Sequence, residues 1–129
     1  MLYFVASEYQ KVTGYPLVEE LFSTWAYGPV LYSVHDEFRS FGKNDIKRYA
    51  RDARGQTLII DEEDLELKIA LDRVWDKAKN KTATELSEIT HIPDSAWDKA
   101  YQTDQPVLAF SDIANDTTYR TPLGFLEAA

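Results

Sequence analysis

The chain carries two histidines, His35 and His91, and no cysteine, so any bond-making chemistry has to run through an imidazole or through paired carboxylates. Glu88-x-x-His91 has the i, i+3 spacing that puts a carboxylate and an imidazole on one helix face, the half-motif from which di-iron helical bundles are built. Such a centre needs a second pair and two further glutamates from facing helices, and no second Glu-x-x-His is present. A better use of His91 is to end its helix, with its charge suited to the C-terminal dipole and its ring able to bond a free carbonyl. His35-Asp36-Glu37 sets three reactive side chains in a row, but adjacent residues on a helix point about 100° apart and do not converge on one atom. Ser33 lies two residues from His35, with no Gly-x-Ser-x-Gly turn to present a nucleophile and no glycine-rich loop to cradle a phosphate. Hydrolase and kinase chemistry lack their parts. The expectation is a protein that is not an enzyme and takes no cofactor or metal; the alternative is a metal-dependent enzyme using Glu88 and His91.

Composition narrows the classes further. At 129 residues the chain is long enough for one domain that buries roughly two-thirds of its unfolded surface without a metal or disulfide. The absence of cysteine excludes disulfide frameworks and zinc–thiolate sites and fits a reducing cytosol. No apolar run approaches the roughly 20 residues that span a bilayer, so a cytoplasmic protein with no membrane partner is expected. Residues 1–60 hold seven basic and seven acidic side chains and residues 61–129 hold seven and fifteen, which places the whole net charge of −8 in the second part. That surface opposes phosphate backbones and attracts a basic protein, so nucleic acid is not the expected partner. Arg39, Lys43, Lys47, Arg48, Arg51 and Arg54 form a local basic run that reads as a solvated face.

The elements that would position these residues are mostly helical. Leu2, Val5, Tyr9 and Val12 share one face of a first helix that Gly14 and Pro16 end; nothing precedes Met1 to cap it, so its first turn frays or leans on a segment outside this sequence. Trp25-Ala26-Tyr27-Gly28-Pro29-Val30 reads as a sharp corner between a short helix over Val18 to Trp25 and a second helix that opens at Pro29 and stops at Gly42. Thr57 to Ile60 is a β-branched run that would suit a small hairpin or an extended stretch over the core. Asp61 to Lys79 is the longest helix, acidic at its start and basic at its end, with Leu67, Leu71, Val74, Trp75 and Ala78 on the core side and Leu65 and Ile69 nearly opposite. Thr82 and Glu85 form a capping box for a helix ending near His91, and Pro93-Asp94 starts another around Trp97. The stretch from Asp104 has no clear period and is expected to pack across the helices before a loose end. The fold class is therefore mainly α: a compact bundle of five to six helices around a central long helix, with room for one small β-hairpin.

The pattern resembles the Panacea antitoxin domain, SocA-like and phage-associated. The resemblance lies in Leu2-Tyr3-Phe4 with Ala6 and Tyr9, Gly14-x-Pro16-Leu17, Phe22-x-x-Trp25-x-Tyr27-Gly28-Pro29-Val30, and Val34, Phe38 and Gly42, then in Leu86-x-x-Ile89-Thr90-His91 and Trp97-x-x-Ala100. It covers residues 2–101, leaving 104–129 as a C-terminal extension of a single domain over 1–129. Tyr32 stands where the family usually has proline, His35 where it has an aromatic, and Ala96 where proline commonly precedes the tryptophan. The resemblance implies a domain that neutralises a cognate protein toxin by binding it in a toxin–antitoxin pair, or that hands the toxin to a protease as an adaptor. The candidate partner-binding residues are Trp25, Tyr27, Pro29 and Tyr32 at the corner, and His91 and Trp97 in the second block.

Overall fold

The computed structural model describes residues 1–38 and 65–125. The basic run from Arg39, the stop at Gly42, the stretch Thr57 to Ile60 and the acidic start at Asp61 lie outside these residues. Among the described residues the order is α1 (Leu2–Thr13), β1 (Ser23–Trp25), β2 (Gly28–Val30), α2 (Tyr32–Phe38), α3 (Leu65–Ala78), α4 (Ala83–Thr90), α5 (Ala96–Gln102), α6 (Phe110–Asn115) and α7 (Arg120–Leu123). The architecture is mainly helical with one two-stranded antiparallel hairpin.

Helix α1 ends as its glycine dictates: Gly14 takes φ +77° and its N–H donates to Gln10 O. Its buried surface is wider than a single stripe. Six consecutive residues, Tyr3 to Glu8, are buried, while Val12 is exposed, because α1 is packed by α3 and by α6 and so is covered on more than one face. Against it α3 lays the narrow small-residue stripe Ala70, Val74 and Ala78, with Leu67 and Leu71 partly buried beside it. Trp75, expected in the core, is 54 % exposed, since it falls at the border of that stripe.

The corner is corrected outright. Residues 23–30 form a hairpin, in register Ser23 with Val30, Thr24 with Pro29 and Trp25 with Gly28, where a helix, a bend and a second helix were expected. The reason lies on the far side of β1, where Thr24 N–H donates to Pro106 O at 2.9 Å and Leu108 N–H donates to Phe22 O at 2.9 Å. The segment around Val107 thus extends the sheet and draws residues 22–25 out of a helix. Because Thr24 N–H points away from β2, its opposite number Pro29 also points its nitrogen outward. On that outer edge a missing N–H costs nothing, so the proline that could open a helix equally suits an edge strand. Helix α2 then begins at Tyr32, with Glu20 accepting from Ser33 N–H at 3.1 Å and from Ser33 Oγ–H at 2.5 Å. These bonds hold the Glu20 carboxyl below its ordinary range.

The expected capping box is present: Glu85 N–H donates to Thr82 Oγ1 and Thr82 N–H to Glu85 Oε1, each at 3.1 Å. Helix α5 is started by Ser95, whose Oγ accepts from Asp98 N–H at 3.0 Å, one residue beyond the expected Pro93-Asp94. The C-terminal stretch packs across the helices as expected and completes the core: Leu108, Ile113, Tyr119 and Leu123 are at most 2 % exposed. It is tied to α1 by a buried polar cluster. Tyr3 donates to Asp116 Oδ2 at 2.6 Å, and Asp116 Oδ1 accepts from Thr118 N–H and Oγ–H at 2.9 and 2.6 Å. Lys11 reaches Ser7 Oγ at 2.6 Å and Asp116 O at 2.5 Å, Tyr119 donates to Glu8, and Arg120 bonds both Glu8 oxygens at 2.6 Å. Burial first, and then the neighbouring carboxylates, push the phenols of Tyr3 and Tyr119 well up, whereas desolvation lowers Lys11.

Candidate functional site: the hairpin tip and its anchors

The hairpin turns over two residues, Ala26 and Tyr27. Neither has a positive φ; that conformation falls on Gly28, at +126°. The turn is therefore neither of the primed types whose twist matches paired strands, and with three residues per strand the hairpin is too small to be stable alone. The segment around Val107 holds its β1 side, and the α4–α5 region holds its tip. Trp97 Nε1–H donates to Trp25 O at 2.7 Å, His91 Nε2 lies 2.8 Å from Ala26 O, and Ser87 Oγ–H donates to Tyr27 O at 2.5 Å. Three successive carbonyls of the turn are thus taken by three side chains. Gly28 completes the fit, because a Cβ at that position would stand 2.7 Å from Thr90 Oγ1.

His91 ends α4 as expected, its backbone N–H donating to Glu88 O at 3.1 Å. Its ring bridges two elements, with Nδ1 2.5 Å from Ser87 O and Nε2 on the hairpin. Carbonyl oxygens only accept, so each ring nitrogen that carries a proton donates to the carbonyl it faces, and Nδ1 also lies 3.2 Å from Thr90 Oγ1. The Trp97 ring packs on His91 at 4.0 Å between centroids and stacks on Tyr101 at 4.6 Å. On the other side of the hairpin Trp25 meets His35 edge-on at 4.8 Å.

The candidate residues divide by position. Trp97 is buried, with 6 % of its surface exposed, and His91, Trp25 and Pro29 are half-buried. Tyr27 is 84 % and Tyr32 54 % exposed. Tyr27 stands between two open grooves. One, of about 480 Å³, has an apolar floor that includes Leu2, Phe22, Pro29, Val34 and Leu86; the other, of about 600 Å³, is bounded by Ala83, Thr84, Ser87, Glu88 and His91. Sequence reading missed Ser87. Its signal is the i, i+4 spacing to His91, which puts both on the face of α4 that meets the hairpin, whereas the Glu88 to His91 pair drew attention to a ligand set. Among the described residues no group of three or more His, Asp or Glu side chains could hold a metal ion, and both ring nitrogens of His91 face carbonyls. Nor, among the described residues, is any helix long and apolar enough to cross a membrane.

Comparison with known proteins agrees with the residue pattern. No curated protein and no solved structure matches the chain. A family model described as "Antitoxin SocA-like, Panacea domain" matches residues 1–98, a span that takes in α1, the hairpin, α4 and the His91–Trp97 anchors. With about three-quarters of its length inside that match, the chain belongs to the SocA-like antitoxin family of Panacea domains.

Proposed function

We propose that this chain acts as an antitoxin by direct contact, covering a cognate protein toxin with the surface around the hairpin tip. Family membership supplies the class of partner. The observation that carries the reading is Tyr27: a ring 84 % exposed, at the end of a turn whose carbonyls are tied down, between two open grooves. A large aromatic held on a fixed backbone presents contact area at little entropic cost on binding, which is the character of an interface hot spot. Tyr32 and Val34, 54 % and 40 % exposed, continue that surface along α2. A specific contact on the order of 800 Å² per partner is enough to obstruct a toxin's working face without any chemistry. The net charge of −8 favours a partner whose approaching surface is basic.

The test is co-expression with the product of the adjacent reading frame. That product is expected to be lethal alone and tolerated with this chain, and Tyr27→Ala together with Tyr32→Ala is expected to abolish the protection while leaving the fold intact. A neighbour that is harmless alone, or lethal in both cases, defeats the proposal. Toxin half-life separates the mechanisms: a toxin that persists but is inert is neutralised by occupation, and one that becomes short-lived is delivered to a protease.

A further inference from the structure

We infer that Ser87, His91 and Trp97 are positioning residues for partner capture, aiming Tyr27 by holding the carbonyls of Trp25, Ala26 and Tyr27 and not by touching the partner. The inference rests on the reading of the hairpin tip as the toxin-binding surface. Four observations lead to it. Trp97 is too buried to offer much contact, and its indole N–H is spent on Trp25 O. With three residues per strand, the hairpin is too short to support itself. Each of the three donors comes from outside the hairpin, and each takes a different carbonyl in succession. Finally, Gly28 lets the strand come close enough to Thr90 for those bonds to form. With the donors removed, the tip carbonyls turn to water, the backbone under Tyr27 gains freedom, and the ordering has to be supplied when the partner binds.

Substitutions at His91 separate this role from that of a helix terminator. Glutamine carries its amide nitrogen near the Nε2 position and can still donate to Ala26 O; asparagine reaches only the Nδ1 position, on α4 itself, and is the better residue for ending a helix. Affinity for the protein encoded by the adjacent reading frame is measured for the parent, His91→Gln, His91→Asn, Ser87→Ala and Trp97→Phe, alongside amide exchange at Tyr27 and Gly28 and thermal midpoints. The expected result is near-parental affinity for His91→Gln and a loss of about tenfold for each of the other three, equivalent to one lost hydrogen bond, with faster exchange at the tip. Equal affinity for His91→Asn and His91→Gln overturns the inference, as does undiminished affinity of Trp97→Phe, which keeps the ring stacking and guards against a folding defect at position 91. Tyr27→Ala is the separate control. If it binds like the parent, the surface reading fails and the inference with it; if it binds weakly while the anchor variants do not, only the positioning role fails.

Discussion

Replacing Gly28 with alanine probes the seat of the hairpin more sharply than any aromatic truncation, because two independent penalties meet in one methyl group. The first is conformational: at φ +126° an L-residue is strained, at a cost of about 1–3 kcal/mol. The second is steric. The new Cβ would lie 2.7 Å from Thr90 Oγ1, so that hydroxyl has to move. Thr90 Oγ1–H donates to Ser87 O at 2.6 Å, and displacing it loses a bond worth about 0.5–1.5 kcal/mol and drives the side chain off its rotamer for a similar amount. Together these give a destabilisation of about 2–6 kcal/mol, measurable by urea unfolding with the slope unchanged. In a Thr90→Ala background the steric part disappears and only the backbone strain remains, so Gly28→Ala should cost about 1–3 kcal/mol less there than in the parent. Equal costs in the two backgrounds would refute the close approach of β2 to α4. A parent-background cost below about 0.5 kcal/mol, the level of an ordinary surface change, would refute the whole account of the seat.

Three further outcomes follow from the fold. The raised phenols of Tyr3 and Tyr119 keep protons above the ordinary value of 10.0 that the unfolded chain releases, so stability is held below that pH and falls above it, by up to about 1.36 kcal/mol per pH unit for each phenol. Lys11, lowered by burial, acts in the opposite sense only up to its ordinary 10.5; Tyr119→Phe is therefore expected to make the decline beyond that pH shallower by one proton, read from unfolding free energies against pH. Asp116→Ala strands the buried Tyr3 hydroxyl and leaves the half-buried Thr118 donors to water, and should cost about 1–3 kcal/mol in a denaturant titration, whereas a loss under about 0.5 kcal/mol would show that the cluster is peripheral. Thr82→Ala removes the capping box of α4 and should lower stability by about 1 kcal/mol, with no change in m-value.

The parts of the fold legible from sequence are those fixed by neighbours in the chain. Gly14 as a helix stop and Thr82 with Glu85 as a capping box are local devices, and both are found in place. The hairpin was not legible because its decisive bonds come from residues near Pro106, some eighty positions away, and because Gly-Pro serves an edge strand and a helix start equally well. The absence of positive φ at Ala26 and Tyr27 also removed the usual Asn-Gly or Asp-Gly sign of a tight turn. Trp75 was misplaced because the core stripe of α3 is narrower than its apolar spacing suggests. The C-terminal stretch showed no period because it works as two short helices and single buried side chains, with Tyr119 and Asp116 reaching α1 through polar contacts that no hydrophobic pattern reports.

The two blocks that carry the family pattern, about sixty residues apart in the chain, meet as one object. Trp97 to Trp25 O, His91 to Ala26 O and Thr90 against Gly28 all run between the Trp-x-Tyr-Gly-Pro-Val block and the Thr-His to Trp block. Tying these blocks together is thus a single geometric requirement, the seating of a hairpin that cannot stand alone. Such a seat is indifferent to what is bound: its donors and acceptors are consumed internally and its tryptophan is buried. If the proposed contact surface is right, selectivity for one toxin is written in what the seat presents, the rings of Tyr27 and Tyr32, Val34 and the grooves beside them. Exchanging those exposed side chains should redirect binding without unfolding the domain, whereas exchanging the anchors should weaken capture of any partner by a similar factor.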